Sequence, residues 1–249
     1  MGKRIIQRRR GRGGPAYKSP GHRFTDDARY APLDEFKKGG IMQVLDFIHD
    51  RAHSAPFALM ITETFENRYH LAPQGLKVGD IIEFGEEAKV AVGNMLPLGK
   101  IPEGTAIHNI ETVPGDGGKL VRTSGGSGFV VTHDQNKKRT VVRLPSRGRI
   151  ELDFECRATI GVLAGGGRKE KPFVKAGSKS KAMEARNKLY PKTSAVAMNA
   201  VDHPFGGRTK PGRTTSAGRH APPGAKVGNL WPRRTGVRRT KQLTEEKTS

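Results

Sequence analysis

The feature that most limits the possible folds of this chain is a long segment near its end without acidic residues. From His203 to Thr244 there is no Asp or Glu, whereas ten Lys or Arg residues are spaced among five prolines and seven glycines. Few apolar side chains are available there to offset the entropy of ordering the backbone, and the Pro and Gly content excludes a long helix. The segment is therefore expected to be extended, and to order only against a polyanion that pairs with its charges.

Charge divides the chain into three parts. Residues 1–25 hold eight Lys/Arg and no acid, residues 26–164 hold 17 Lys/Arg and 19 acids, and residues 165–249 hold 20 Lys/Arg and five acids. Their net charges of +8, −2 and +15 make up the formal +21 of the whole chain. This distribution predicts a nearly neutral globular body between two basic arms that bind a polyanion.

Composition also argues against a membrane or secreted protein. The sequence has no run of 18 apolar residues, and its Arg-rich start lacks the apolar core of a secretory signal. The single cysteine, Cys156, cannot form an internal disulfide and is typical of a reducing compartment. Residues 203–244 lack the amphipathic helical pattern by which membrane-surface segments bind anionic lipid. A nucleic acid is thus the favoured polyanion.

Between the arms, short apolar runs separated by turn signals predict an all-β body. The first strands are predicted at 41–48, 57–64, 69–71 and 80–84. They suit a small Greek-key barrel, and the oligonucleotide-binding barrel (OB-fold) is the leading candidate because it also fits a nucleic-acid partner.

A second set of strands predicts another small barrel, of the SH3-like type. Its members are 105–110, 119–122, 128–133, 138–144, 148–154 and 157–162. Between the two sets, Val92 to Gly104 carries two prolines and three glycines, which predicts a linker. One helix is predicted near Ser180 to Tyr190. The predicted domains are a basic arm at 1–25, an OB barrel at 26–92, an SH3-like barrel at 93–175 and a basic extended tail at 176–249.

Two short motifs suggest sites that their surroundings disfavour. In HDRAH, His49 and His53 are four residues apart, the spacing of two metal ligands on one helix face. The preceding strand and the turn at Ser54-Ala55-Pro56 favour a hairpin loop instead. GGSG, at 125–128, lacks the GxxxxGK and Ser or Thr of a phosphate-binding loop, so a turn between strands is preferred.

The block AMNAVDHPFGG, Ala197 to Gly207, combines turn residues with a histidine. Asp202 and His203 could belong to a catalytic triad, but a triad needs a rigid fold to hold its members. A conformational role is preferred, in which the glycines let the backbone approach a ligand and His203 contacts a phosphate or base. Trp231 could stack on a base or pack against the body, and the sequence leaves both open.

The sequence resembles a known family, the universal large-subunit ribosomal protein L-two family in its archaeal-type form. The resemblance covers nearly the full length. It rests on SAPFALM (54–60), LAPQGLKVGD (71–80), VGNMLPLGKIPEGT (92–105), HNIE (108–111), RLPSRG (143–148), ECRATIG (155–161), AMNAVDHPFGG (197–207), APPGAKVG (221–228) and RRTG (233–236).

The resemblance implies an OB barrel followed by an SH3-like barrel, with both arms threaded into large-subunit rRNA. It also implies a non-enzymatic role in subunit assembly, in subunit association and in supporting the peptidyl-transferase region. His203 occupies the position of a histidine regarded as functionally important in the family. Arg208 stands where many relatives have a third glycine. This difference affects how closely the backbone just past Gly207 is expected to approach RNA.

The sequence therefore predicts a cytoplasmic, ribosome-bound rRNA-binding protein, monomeric within the ribosome, with other ribosomal proteins and the small subunit as further partners. No catalytic residue, protein-held metal or cofactor is expected, and Mg²⁺ would at most bridge phosphates at the rRNA interface. An RNA chaperone and an RNA-acting enzyme using His203 are the alternatives. The residues expected to contact RNA are Arg8, Arg9, Arg10, Arg12, Lys18, Arg23, Asn199, His203, Gly206, Gly207, Arg208, Arg213, Arg219, Trp231, Arg233, Arg234, Arg238 and Arg239.

Overall fold

A computed structural model describes residues 2–6, 9, 12–15, 17–51, 53–168, 170–203 and 205–207, apart from the side chain of Arg23. The chain divides into two compact units. One, the body unit, is Pro20–Ala176. The other, the terminal unit, combines Met1–Ser19 with Gly177–Ser249.

The described residues are largely β-strand, with two short α-helices, which confirms the predicted all-β class. Ten strands form one sheet in the order β3-β2-β1-β4-β5-β10-β6-β7-β8-β9. Nowhere in the described ranges is a helix long and apolar enough to cross a membrane. The strands are β1 Gly40–Ile48, β2 Phe57–Thr62, β3 Asn67–Leu71, β4 Ile81–Phe84, β5 Met95–Pro97, β6 Ala106–His108, β7 Gly128–Asp134, β8 Arg139–Arg143, β9 Arg149–Asp153 and β10 Arg157–Ile160. The helices are α1 Leu33–Lys38 and α2 Ala176–Glu184, and 3₁₀ turns lie at Gly21–Arg23, Leu98–Lys100 and Ala195–Ala197.

Side chains from β1, β2, β4 and β5 meet in one core. β1 pairs antiparallel with both β2 and β4, and Met42 and Val44 on β1 are buried while Ile41 and Leu45 are exposed. This alternation places one face of β1 against the core. We call the resulting cluster the first core. Its buried members are Tyr30, Phe36, Met42, Val44, Ala58, Met60, Ala72, Ile82, Phe84 and Met95.

The later strands enclose a second core. On β9, Leu152 is buried and Ile150 packs against the core, whereas Arg149, Glu151 and Asp153 are exposed, so apolar and polar residues alternate along this strand. The buried members of the second core are Leu96, Leu98, Ile101, Ile107, Ile110, Val130, Val142, Leu152, Cys156, Ala158 and Ile160.

The predicted linker at 92–104 is wrong. Met95–Pro97 forms β5, which pairs parallel with β4 and antiparallel with β10. Met95 belongs to the first core and its neighbour Leu96 to the second, because successive side chains of a strand point to opposite faces. The Pro and Gly residues here limit a very short buried strand instead of marking a flexible connection.

Two other predicted segments differ from the structure. Residues 119–122 make only an isolated bridge, Leu120 to Ile110, because Val121 has a φ of 53° that a strand cannot continue through. The helix predicted at 180–190 begins earlier, at Ala176, and its described span ends at Glu184. Asn187 then adopts a φ of 49°. The N–H groups of Asn187 and Lys188 donate to the carbonyls of Glu184 and Met183, the hydrogen-bond pattern of a Schellman cap.

A buried ion pair lies where the two cores adjoin. The Arg157 guanidinium donates to both carboxylate oxygens of Glu111, at 3.0 and 2.6 Å, and stands over the rings of Tyr30 and Phe36 at 5.2 and 5.0 Å. Glu111 also accepts the backbone N–H groups of Arg157 and Gly117. A buried charge is tolerated only when it is paired and hydrogen-bonded in this way. HNIE and ECRATIG thus contribute a structural pair.

Candidate nucleic-acid interface

Four of the predicted RNA-contact residues lie together in one closed turn of the terminal unit. The N–H groups of Asp202 and His203 donate to the carbonyl of Asn199, at 3.0 and 3.1 Å, and the N–H of Gly206 donates to the carbonyl of His203 at 2.9 Å. The N–H of Gly207 closes the turn on Met198 at 3.2 Å. We call residues 198–207 the VDHP loop; its structure is described except at position 204. The loop orders its own backbone.

His203 is held by its own loop. The backbone N–H of Phe205 donates to Nδ1 of His203 at 3.1 Å, and the two rings meet edge to face with centroids 5.2 Å apart. An imidazole nitrogen that accepts a hydrogen bond carries no proton, so the proton of the neutral ring is on Nε2. Phe205 is buried and His203 is half-buried. His203 therefore presents Nε2–H as a fixed donor, the form suited to a phosphate or base oxygen.

The two glycines of the loop are required for different reasons. A Cβ on Gly206 would lie 2.3 Å from the carbonyl oxygen of Asn199 and 2.4 Å from that of Met198, closer than any side-chain atom can come. Gly207 has a φ of 112°, a left-handed conformation that glycine adopts without strain, and a Cβ there would meet nothing closer than 3.7 Å. Gly206 is thus needed for the packing of the loop itself. The sequence analysis had instead assigned this glycine to the close approach of a ligand.

The carboxylate of Asp202 does not orient the imidazole of His203. Its carboxylate forms an ion pair with Lys3 at 3.4 Å, and the backbone N–H of Lys3 donates to the carbonyl of Val201 at 2.8 Å. The orienting carboxylate of a catalytic triad would have to bond the imidazole nitrogen that here accepts from Phe205. The loop is therefore built as a binding element, and its acid ties the N-terminal segment to it.

The described part of the N-terminal segment turns repeatedly. The N–H of Arg9 donates to Ile5, that of Arg12 to Arg9, and those of Tyr17 and Lys18 to Gly14. The described part of the basic arm predicted at 1–25 thus contains turns. Arg9, Arg12 and Lys18 are exposed, which leaves their charges available to a partner.

The other predicted contacts fall on residues or atoms outside the described part of the structure. The side chain of Arg23 lies outside the described atoms. Outside the described residues are Arg8, Arg10, Arg208, Arg213, Arg219, Trp231, Arg233, Arg234, Arg238 and Arg239.

Sequence reasoning missed Lys3 and Phe205 as parts of this interface. Lys3 reaches the loop only through the tertiary fold, so no local pattern could have indicated it. Phe205 offered a signal, since a lone aromatic beside glycines in an apolar-poor segment has to be buried somewhere.

The two disfavoured motifs prove to be structural. The HDRAH segment lies in the loop between the paired strands β1 and β2, as predicted. Nε2 of His53 faces Arg122 at 3.1 Å, and because a guanidinium only donates, the ring proton is on Nδ1, which donates to Asp50 at 2.6 Å. Both ring nitrogens of His53 are therefore engaged by protein. Among the described residues, no group of three His, Cys, Asp or Glu could hold a metal ion.

The GGSG motif is a turn before β7, also as predicted. A Cβ on Gly125 would lie 2.6 Å from Cα of Gly166, and the N–H of Gly125 donates to the carbonyl of Leu163 at 3.1 Å. The glycine thus allows two backbone segments to pass in contact.

Comparison with known proteins decides the family. A family model described as "Ribosomal Proteins L2, C-terminal domain" matches residues 91–226, a range that begins just before β5 and extends beyond the VDHP loop. The "Large ribosomal subunit protein uL2" of Methanocaldococcus jannaschii is 52% identical over 244 residues, which cover 96% of this chain and 100% of the relative. The chain belongs to the ribosomal protein L2 family.

Two further archaeal relatives of the same name support this assignment. The proteins of Methanothermobacter thermautotrophicus and Methanobrevibacter smithii are 51% and 50% identical over 243 residues, again covering 96% of this chain and 100% of each relative. The resemblance to an archaeal-type ribosomal family is confirmed. Members of the L2 family are structural constituents and not enzymes, as the sequence analysis predicted.

Proposed function

We propose that the chain is a structural constituent of the large ribosomal subunit and binds large-subunit rRNA. In this role it supports subunit assembly, subunit association and the peptidyl-transferase region during translation in the cytoplasm. Its partners are the rRNA, other ribosomal proteins and the small subunit at the interface, and it is monomeric within the ribosome. It needs no cofactor of its own, and any Mg²⁺ is shared with rRNA phosphates.

The observation that carries this proposal is the uncompensated charge of the terminal unit. Its described residues include only two acids, Glu184 and Asp202, and each is paired with one lysine, Lys181 and Lys3 respectively. The remaining described bases of the unit outnumber its acids, and phosphate is the natural counter-charge for such a surface. They are Arg4, Arg9, Arg12, Lys18, Lys179, Arg186, Lys188 and Lys192.

Within this function the two cores have a positioning role. The first core and its strands correspond to the OB barrel, proposed at 26–92, and the second core to the SH3-like barrel, proposed at 93–175. The basic segments 1–25 and 176–249 are the RNA-binding arms. Rigid barrels fix register on folded RNA through shape, whereas phosphate contacts from the arms supply most of the affinity.

The VDHP loop is the proposed point of close contact with RNA. It offers the exposed side chain of Asn199 and the Nε2–H of His203 on a preorganised turn, with Arg208 directly following it. A preorganised donor loses little entropy on binding. The further contacts proposed in the arms are Arg8, Arg10, Arg23, Arg213, Arg219, Trp231, Arg233, Arg234, Arg238 and Arg239.

Salt dependence tests the proposal. Replacing four tail arginines (233, 234, 238 and 239) by Gln in the full chain should flatten the plot of log K against log salt by about three, at roughly 0.7 to 0.9 per lost phosphate contact. Binding to large-subunit rRNA is measured across a salt series, with unrelated duplex RNA as competitor. A matched control replaces the exposed Lys37, Lys38, Lys137 and Arg149 of the body unit by Gln. The control should change the slope less.

The competitor distinguishes the main alternative. If unrelated duplex RNA displaces large-subunit rRNA from the unmodified chain at equal concentration, the protein has no fixed site. The RNA-chaperone hypothesis would then replace the ribosomal one.

A further inference from the structure

A cleft of about 880 Å³ lies within the terminal unit, next to the end of α2. Its walls include Tyr17 from the N-terminal segment and Lys179, Met183 and Tyr190 from α2 and the residues after it. This volume is in the range of about 300 to 1,000 Å³ typical of small-ligand sites. We call it the tyrosine cleft.

The cleft is built by a specific cap and not by loose packing of two segments. Asn187, in the left-handed conformation, terminates the helical turns, and its side-chain amide donates to the carbonyl of Lys18 at 3.1 Å. That bond joins the segment carrying Tyr17 to the segment carrying Tyr190. Asparagine is one of the few residues that tolerates this backbone conformation and also carries a donor.

The lining chemistry combines aromatic rings with positive charge. Tyr17 and Tyr190 are half-buried, and the Lys179 ammonium stands 5.4 Å from the centre of the Tyr190 ring, in cation–π range. Lys188 and Lys192 line the same cleft and are exposed. No carboxylate is among the lining residues that the structure describes. A ligand that fits must offer a flat aromatic group and a negative charge.

We propose that the tyrosine cleft binds one unpaired, unstacked nucleotide of RNA, with its base against the tyrosines and its phosphate near Lys188 and Lys192. This inference rests on the proposed rRNA-binding function and adds a site to it. Proteins read single-stranded RNA by stacking splayed-out bases on aromatic side chains. A base-paired nucleotide would keep its faces inside the helical stack and could not enter a concave cleft. A negatively charged peptide with an aromatic residue is the competing occupant.

Photocrosslinking tests the site directly. Large-subunit rRNA is transcribed with 5-bromouridine in place of uridine, bound to the full chain and irradiated, and the linked residues are identified by mass spectrometry. The expected result is a crosslink on Tyr17 or Tyr190. Binding affinity for the same RNA is measured in parallel, because it reports the proposed function independently of the cleft.

Three full-length variants sharpen the test. Tyr190→Ala should weaken binding to rRNA at high salt by about fivefold or more, the effect of losing one stacked base. Asn187→Gly keeps the left-handed cap but removes the donor to Lys18, so the Tyr17 crosslink should decrease while α2 is retained by circular dichroism. The control is Phe65→Ala, which removes an aromatic ring that is 85% exposed in the body unit. It should change neither the crosslink nor the affinity.

The outcomes separate the two proposals. If rRNA binds specifically but no crosslink falls on either tyrosine, and Tyr190→Ala binds like Phe65→Ala, the tyrosine cleft is not a nucleotide site and the rRNA-binding function stands. If an acidic aromatic peptide binds at the two tyrosines of the cleft and RNA does not, the occupant of the cleft is a protein segment and the proposal is overturned. If specific rRNA binding is itself absent, both proposals fail together.

Discussion

Single residues in the VDHP loop have structural roles that their residue type alone does not indicate. The sequence analysis gave Gly206 and Gly207 one shared role, in which they let the backbone approach a ligand. In the structure, Gly206 is buried against two carbonyl oxygens of its own loop, whereas Gly207 is exposed and has a positive φ. The first glycine is needed for space and the second for backbone conformation.

This difference predicts unequal effects of two alanine substitutions. Gly206→Ala should open the loop, because its Cβ cannot be placed without moving the backbone of Met198 and Asn199. Gly207→Ala should cost only about 1 kcal/mol of local stability, the usual penalty for a non-glycine residue with positive φ. The measurement is the His203 imidazole signal by NMR in each full-length variant. Equal perturbation of that signal by both substitutions would contradict the geometry.

At the scale of strands and helices, the sequence predicted the elements whose residue pattern is clear. β9 was found because polar and apolar residues alternate along it, and β1 was found as a short apolar run bounded by turn signals. β5 was missed because it has only three residues and ends in Pro97, so turn signals outweighed its apolar character. The segment at 119–122 was overpredicted, since nothing in its composition indicates the positive φ of Val121.

The sharing of β5 between two cores gives a prediction at the same scale. Met95→Ala removes a side chain from the first core and Leu96→Ala removes one from the second. Each should lower the free energy of unfolding by about 2 to 5 kcal/mol, the usual cost of truncating a buried Met or Leu. Calorimetry of the full chain should show one transition of the body unit shifted in both variants. Separate transitions, each moved by only one substitution, would show that the two cores unfold independently.

For the molecule as a whole, two buried histidines couple stability to pH. Burial lowers the pKa of His70 to about 4, helped by the charge of Arg68, and burial likewise lowers the pKa of His108 to about 4. Both are therefore neutral in the folded protein. The unfolded chain, with ordinary histidine pKa values near 6.5, binds protons below that pH that the folded protein does not.

The free energy of unfolding should consequently have its full value above about pH 6.5 and should decrease as the pH falls towards 4. The loss is on the order of 3 kcal/mol for each histidine. Thermal unfolding of the full chain between pH 7 and 4.5 measures it. His70→Phe should reduce the pH dependence, whereas His49→Gln, which changes an exposed histidine of the β1–β2 loop, should not. An unchanged slope in His70→Phe would exclude His70 as a source of the effect.

The position of Tyr30 has a consequence for the order in which the protein forms as it is synthesised. The Tyr30 hydroxyl bonds to the carbonyl of Asn109 and to the Thr159 hydroxyl, and Arg157 covers its ring. A growing chain exposes residue 30 long before residue 159 exists. The core nearest the start of the chain therefore stays open until β10 has been made, although most of its strands are synthesised much earlier. Over that interval its apolar surface and strand edges are exposed, so the nascent protein depends on protection from aggregation until nearly two thirds of the chain has been made.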